Sequence, residues 1–446
     1  MPFEDKVGLG KPTENPLFLN IHIPPSYPSR TDFPVKVYIH GGFLQFGCPH
    51  SLGSQAQYVS AERNEIWVNI GYRLSAFGFL ASDKHGLKGN YGFKDQWLAL
   101  EWIKANIAAF GGAPEATQIT GLSAGAHSVQ QLLHHASQLP EGQSAPFTSA
   151  VLQSNAILAD PKTPAELRPQ FEALCKALKL DPDADDVLET LKDPTRVSSS
   201  DLTNTIEHLE SYGTFRGCLS DDWIITSPGP MERQRNGTFS RALQARGVRF
   251  VVFGDLTEEW YLYSIAHPIE RAEDVITNLE RYFSSSLVRD LVGQYPALPP
   301  KAKKKDLKRR FGEILSVAQV HLPVRVLARD LVDNGFPVLR YEIRWTPEEL
   351  RPFGYVTHGT DRALWALRLP VLTEDEQNVA RRWLDVFEEE SKKLLAGKGS
   401  RDKDDVLVLK EDRSIGWTKD REWEKYEKLA KTLLRDDLAS SHKPLL

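Results

Sequence analysis

Cysteine is scarce in this chain, with Cys48, Cys175 and Cys218 the only three among 446 residues. An odd, irregularly spaced set argues against a disulfide framework. The cysteines and histidines also show no metal-ligand spacing. Long apolar runs are missing as well: none approaches the roughly eighteen residues of a membrane-spanning helix, and the first residues hold no signal-peptide core. Nor does charge of one sign prevail. A net charge of −5, from 55 basic and 60 acidic residues, points to neither nucleic acid nor an acidic membrane surface as partner. There is no phosphate-binding glycine loop, no Pro- or Gly/Ser-rich linker and no internal repeat. These absences lead to the expectation of a cytoplasmic protein without metal or organic cofactor, its oligomeric state left open.

What is present is an alternation. Short β-branched or aromatic runs at 17–23, 35–40, 66–72, 117–121, 149–153, 248–253 and 337–343 predict buried strands. Amphipathic patterns lie between many of them. One is 93–110, where Trp97, Leu98, Leu100, Trp102, Ile103 and Ile107 recur near helical spacing. Near-continuous apolar strands alternating with helices predict an α/β fold, a mostly parallel sheet covered on both faces. The polar helical stretches at about 160–247 and 260–335 read as insertions forming a cap on one domain spanning 1–446. The basic run Lys301-Ala302-Lys303-Lys304-Lys305 is expected to be a solvated helix face, and Asn236-Gly237-Thr238 a turn. Beyond Asp405 a docked surface helix with a frayed end is expected, anchored by Trp417, Trp423 and Tyr426.

The sharpest local signal is Gly121-Leu122-Ser123-Ala124-Gly125, between a strand-like Thr117-Gln118-Ile119-Thr120 and a helical 126–135. Strand, tight turn and helix form the setting of a nucleophile elbow, which lifts a serine hydroxyl above the sheet edge beside a helix N-terminus. The Ala124 N–H is then placed to bind an oxyanion. His40-Gly41-Gly42 ends an earlier buried strand, and its small residues could turn the Gly41 and Gly42 N–H groups to the same oxyanion.

The chain resembles the type-B carboxylesterases, the family that includes the cholinesterases, within the α/β-hydrolase fold. The match runs through Leu17-Phe18-Leu19-Asn20-Ile21, Gly71-Tyr72-Arg73-Leu74-Ser75-Ala76-Phe77-Gly78-Phe79-Leu80 and Asn90-Tyr91-Gly92-Phe93-Lys94-Asp95-Gln96. It continues through Asn106-Ile107-Ala108-Ala109-Phe110-Gly111-Gly112 to the elbow, and thins to short islands beyond Asn155. The resemblance implies a triad of Ser123, Glu259 and His358. The acid falls in Gly254-Asp255-Leu256-Thr257-Glu258-Glu259, with Glu258 and then Asp255 as alternatives, and the histidine in Thr357-His358-Gly359-Thr360-Asp361. His127 and His50 are expected on a helix surface or behind the site.

The sequence departs from the family at three places. Phe43 stands where a third small residue would complete the oxyanion loop, Leu122 where a glutamate usually precedes the serine, and Pro16 where a cysteine is common. The match also starts near Glu14, where family members carry a longer preceding segment. The resemblance implies hydrolysis of small to medium hydrophobic esters through an acyl-enzyme, the partner being the small-molecule ester. Acyl transfer on the same site and a binding protein that has lost catalysis are the alternatives. Phe43, Phe46, Phe215, Trp223, Trp260, Tyr261, Phe353 and Tyr355 are expected to wall an apolar pocket.

Overall fold

A computed structural model describes residues 13–51, 54–220, 223–299 and 301–434. The apolar runs assemble into one nine-stranded sheet: β1 (Leu19–His22), β2 (Phe33–Ile39), β3 (Ile66–Ile70), β4 (Gly112–Leu122), β5 (Ser149–Gln153), β6 (Phe250–Leu256), β7 (Val338–Ile343), β8 (Asp405–Leu409) and β9 (Ile415–Lys419). Their spatial order is β1-β3-β2-β4-β5-β6-β7-β8-β9. Only the outermost pairs, β1 with β3 and β8 with β9, are antiparallel. Residues of β3, β5 and β6 are buried throughout, as strands covered on both faces require.

Two cores sandwich the sheet. On one face α1 (Tyr91–Asn106) and α2 (Ala124–Ala136) pack Leu100, Ile103, Val129 and Leu132 against Val35, Val37 and Ile39. Trp97 and Ile103 point inward as the pattern predicts, whereas Leu98 and Trp102 on the same helix are exposed. Past Asn106 the helix tightens into a 3₁₀ turn, Ile107–Phe110. On the other face lies an aromatic cluster. Trp365 meets Tyr341, Trp383 and Phe387 edge-on with centroids 5.0–5.5 Å apart.

The segment between β6 and β7 begins with the short α3 (Trp260–Ser264) and contains one long helical run: α4 (Lys304–Ser316), a π turn at Val317–His321, then α5 (Leu322–Asp333). This run is long and apolar enough to cross a membrane by composition, yet 89% of its most apolar window is buried within the protein. Pro323 has no N–H to offer the turn before it, and the Gln319 carbonyl accepts the Ala156 N–H instead, at 3.2 Å. The basic run is solvated as expected, but only Lys304 and Lys305 lie on a helix: Lys301 to Lys303 precede α4, and Lys304 pairs with Glu270. Gly237 adopts a left-handed φ of 78° between two helices, so Asn236-Gly237-Thr238 is a turn.

The C-terminal region corrects one expectation. Residues after Asp405 first make the hairpin β8–β9, which extends the sheet, and only then α6 (Trp423–Leu433). Highly charged flanks hid the short apolar run Val406-Leu407-Val408-Leu409. Tyr426 anchors the helix as expected, while Trp417 lies on β9; the frayed end expected after it lies outside the described residues.

A buried ionic knot ties this region to the centre. Arg325 of α5 donates to Asp255 of β6 at 2.8 Å and to Asp420, just after β9, at 3.1 Å; Arg340 of β7 pairs with Asp420 at 2.8 Å. All four groups are nearly inaccessible. Removing one member of such a knot strands an opposite charge in a dry interior. Asp420→Ala is therefore expected to lower unfolding free energy by about 3–5 kcal/mol in urea titration. A loss near zero would mean that water reaches the knot.

Candidate active site

The predicted site residues come from four parallel strands and gather at their carboxyl ends, where open α/β sheets bind ligands. Ser123 follows β4 directly and occupies φ 62°, ψ −125°, a left-handed conformation that costs a residue with a side chain about 1–3 kcal/mol. Packing enforces it. A β-carbon on Gly125 would lie 2.1 Å from the Ile39 carbonyl oxygen, so α2 meets β2 more closely than any larger residue permits. The Ser123 N–H donates to Gln153 of β5 at 2.8 Å, and its carbonyl accepts from His127 at 3.0 Å.

The loop after β2 lies against this elbow. A β-carbon on Gly41 would come within 3.0 Å of Ser123 Cβ. Gly42, at φ 113°, accepts hydrogen bonds from the Gln45 and Phe46 N–H groups through its carbonyl, and its own N–H is not used by another described residue. Phe43 follows at φ 56° and Leu44 at φ 66°. The aromatic side chain thus sits in backbone territory that favours glycine, held there by packing edge-on to Tyr263 at 6.3 Å. Gln45 fastens the loop from outside. Its side-chain amide donates to the Phe43 and Phe215 carbonyls, and its oxygen accepts the Phe215 N–H at 3.1 Å.

Glu259 and His358 come together across 99 residues of chain. His358 Nδ1–H donates to Glu259 Oε2 at 2.6 Å, and Glu259 Oε1 accepts the Leu256 N–H at 3.0 Å. The carboxylate has no exposed surface. His358 Nε2 is buried and has no hydrogen-bond partner among the described residues. The histidine loop faces the elbow, because a β-carbon on Gly359 would touch Leu122 at 3.7 Å. Tyr263 stands edge-on to the imidazole at 5.4 Å.

The two alternative acids have other tasks. Glu258 clamps the loop carrying the histidine: it accepts the Val356 N–H at 2.8 Å on its side chain and donates its own N–H to Val356 at 3.0 Å. Asp255 belongs to the ionic knot and also binds His321 at 2.8 Å. His50 stacks on Phe18 near β1, away from the serine. His127 takes the second of its two expected places, behind the site and not on the helix surface. It is buried, and desolvation holds its imidazole well below its ordinary pKa, with Arg216 adding repulsion. His40 is likewise held at about 4 by burial, stacked on Tyr72, so it stays neutral beside the loop.

The aromatic wall is only partly as expected. Trp260, Tyr261, Phe353 and Tyr355 do cluster, but Phe353 and Phe46 are largely exposed. Trp223 is a core residue that stacks on the half-buried His135 at 3.9 Å. Sequence reasoning missed Tyr263, Gln45 and Asp361 as parts of the site. Of these, only Asp361, three residues past the histidine, lay within a matched segment.

The sequence model of the carboxylesterase family matches residues 2–394. The chain belongs to that family. It is 29% identical over 442 residues to an uncharacterised esterase/lipase of Schizosaccharomyces pombe, covering 94% of this chain and 80% of that protein. A carboxylic ester hydrolase of Gibberella moniliformis is 28% identical over 440 residues, covering 92% and 79%. A solved PNB esterase superposes with a TM-score of 0.75 at 22% identity, covering 95% of this chain and 87% of that one. The mostly parallel sheet is accordingly that of an α/β-hydrolase.

A further carboxyl, Asp361, lies close enough to the Glu259–His358 pair to interact with both. It is buried, and Trp365 Nε1–H donates to its Oδ2 at 2.8 Å. Burial pushes its pKa up to about 6, with the Glu259 charge adding to the rise and the Trp365 hydrogen bond opposing it. A raised carboxyl favours folding in its protonated form. The penalty for ionising it is absent below the unfolded value near 3.8 and grows as pH climbs toward about 6. Asp361→Asn should therefore gain stability relative to the parent between about pH 4 and about pH 7 in paired urea titrations. An identical difference at both pH values would show that Asp361 does not titrate in this range.

Proposed function

We propose that this chain is a serine carboxylic ester hydrolase in which Ser123 attacks the ester carbonyl, His358 takes its proton and Glu259 holds the imidazole. The observation that carries this reading is the buried Glu259–His358 pair, whose second nitrogen is left unpartnered on a loop facing the strained Ser123 elbow. With Nδ1–H committed to the carboxylate, Nε2 carries the lone pair and can act as base. Negative charge on Glu259 stabilises the imidazolium that results.

Charge then develops on the carbonyl oxygen. The Ala124 N–H at the start of α2 and the Gly42 N–H are the supported donors, with Gly41 shaping the approach, and each donor is worth about 3–4 kcal/mol in comparable sites. The alcohol departs with the proton returned by His358. Water, deprotonated by the same nitrogen, releases the acid from the acyl-enzyme. Small to medium hydrophobic acyl groups suit the aromatic surroundings. We also place the reaction in the cytoplasm, a reading supported by the scarcity of cysteine and by the absence of a disulfide among the described residues.

Hydrolysis of p-nitrophenyl butyrate should show a burst and then steady turnover, both abolished in Ser123→Ala. Glu259→Gln should keep the fold and lose about 10³–10⁴-fold in kcat, the scale expected when the orienting carboxylate is neutralised. Folded protein with no Ser123-dependent turnover would exclude the hydrolase and favour a binding role.

A further inference from the structure

Beside the elbow lies a cavity of about 130 Å³, lined among others by His127, Asn155, Leu158, Lys162, Arg216 and Arg281. Three of these carry positive charge, and none of the three forms an ion pair with a described residue. Lys162 donates to the Glu280 carbonyl at 2.9 Å, and Arg281 donates to Asn278 at 2.7 Å and Thr214 at 3.2 Å. Arg216 is the least satisfied. Its guanidinium lies over the Tyr282 ring at 4.9 Å and makes no hydrogen bond or ion pair with any described residue. The acidic side chains of the lining are occupied: Asp160 accepts the Met231 N–H, and Glu166 caps the helix it begins.

The backbone carrying Arg216 is rigid on both sides. Phe215 is bonded through both its N–H and its carbonyl to Gln45 of the oxyanion loop, and Cys218 likewise to Asn90. The backbone at Arg216 is thereby tied through Gln45 to the loop that carries Gly42. A row of rings joins the two places: Phe43 contacts His267 at 6.3 Å, and His267 is hydrogen-bonded to Tyr282 beneath Arg216. Both neighbouring imidazoles are neutral. Burial holds His267 at about 3, with Arg281 and Arg216 adding repulsion, and His127 is depressed in the same way.

From this arrangement we infer that the ester substrates carry a carboxylate at the end remote from the scissile bond, bound in the cavity by Arg216 with support from Arg281. A planar guanidinium matches a carboxylate in two parallel hydrogen bonds. Ile157, Leu158 and Leu287 in the same lining give methylenes an apolar path. The acidic residues of the lining make a single negative charge a better match than a doubly charged phosphate. Arg216 is only half-buried, so its guanidinium stays reachable from the cavity.

This rests on the serine-hydrolase reading, and one experiment separates the two. Mono-p-nitrophenyl esters of dicarboxylic acids from adipate to sebacate are hydrolysed beside their ω-methyl esters; chains this long keep the free carboxylate from attacking its own ester. The readout is the ratio of kcat/KM, acid over methyl ester. At one or more lengths it should exceed one by about tenfold or more, fall as salt is raised, and collapse toward one in Arg216→Gln while Arg216→Lys retains part of it. A ratio at or below one at every length, measured on the unaltered chain, overturns the inference with no need of a variant. A preference that survives in folded Arg216→Gln also overturns it. Absence of Ser123-dependent turnover of both esters overturns the hydrolase reading itself.

Discussion

Everything at this site depends on the close approach of α2 to β2. Gly125 sits against the Ile39 carbonyl with no room for a β-carbon, and that contact forces the chain to reverse at Ser123 in a left-handed conformation. The contact sets the elbow, the elbow sets the direction of the Ser123 side chain, and the same geometry brings Gly41 against Ser123 Cβ. The local cost of the strained serine is met by the hydrogen bonds flanking it and by the core under α2, where Val129, Leu132 and Leu133 are almost wholly buried.

The remaining parts are brought to the elbow by long-range clamps rather than by local conformation. Glu258 fastens the segment after β6 to the segment before His358, so the neighbouring Glu259 is delivered to the imidazole already oriented. Asp255, four residues before Glu259, is locked from below by Arg325 and His321. Three acidic residues in one short segment at the end of β6 therefore divide into three roles, and each role is fixed by what lies opposite. Gln45 does the same for the oxyanion loop by reaching Phe215.

The departures from the family are absorbed without disturbing this frame. Phe43 takes a glycine-like φ of 56° and finds room against Tyr263, which also touches the histidine ring. A bulky residue in the loop thus becomes a wall shared by that loop and the His358 ring. Leu122 replaces a charge with an apolar surface that Gly359 rests on, leaving Asp361 as the buried carboxyl beside the Glu259–His358 pair.

The sequence by itself determined the strands from β1 to β7, the elbow and the glycine-bearing loop, because these are local patterns. Apolar runs must be buried, and a serine between glycines after a strand has few backbone conformations open to it. Its resemblance to a family also carried Glu259 and His358, although nothing in a glutamate-rich loop distinguishes one carboxylate from the next. Tertiary structure alone decided the rest. It separated Glu259 from Glu258 and Asp255, added β8 and β9 to the sheet, buried His127 and Trp223, and left Arg216 unpaired in a cavity. The reason is physical: a charged or polar side chain is assigned by the partner that compensates its desolvation, and those partners lie far away along the chain.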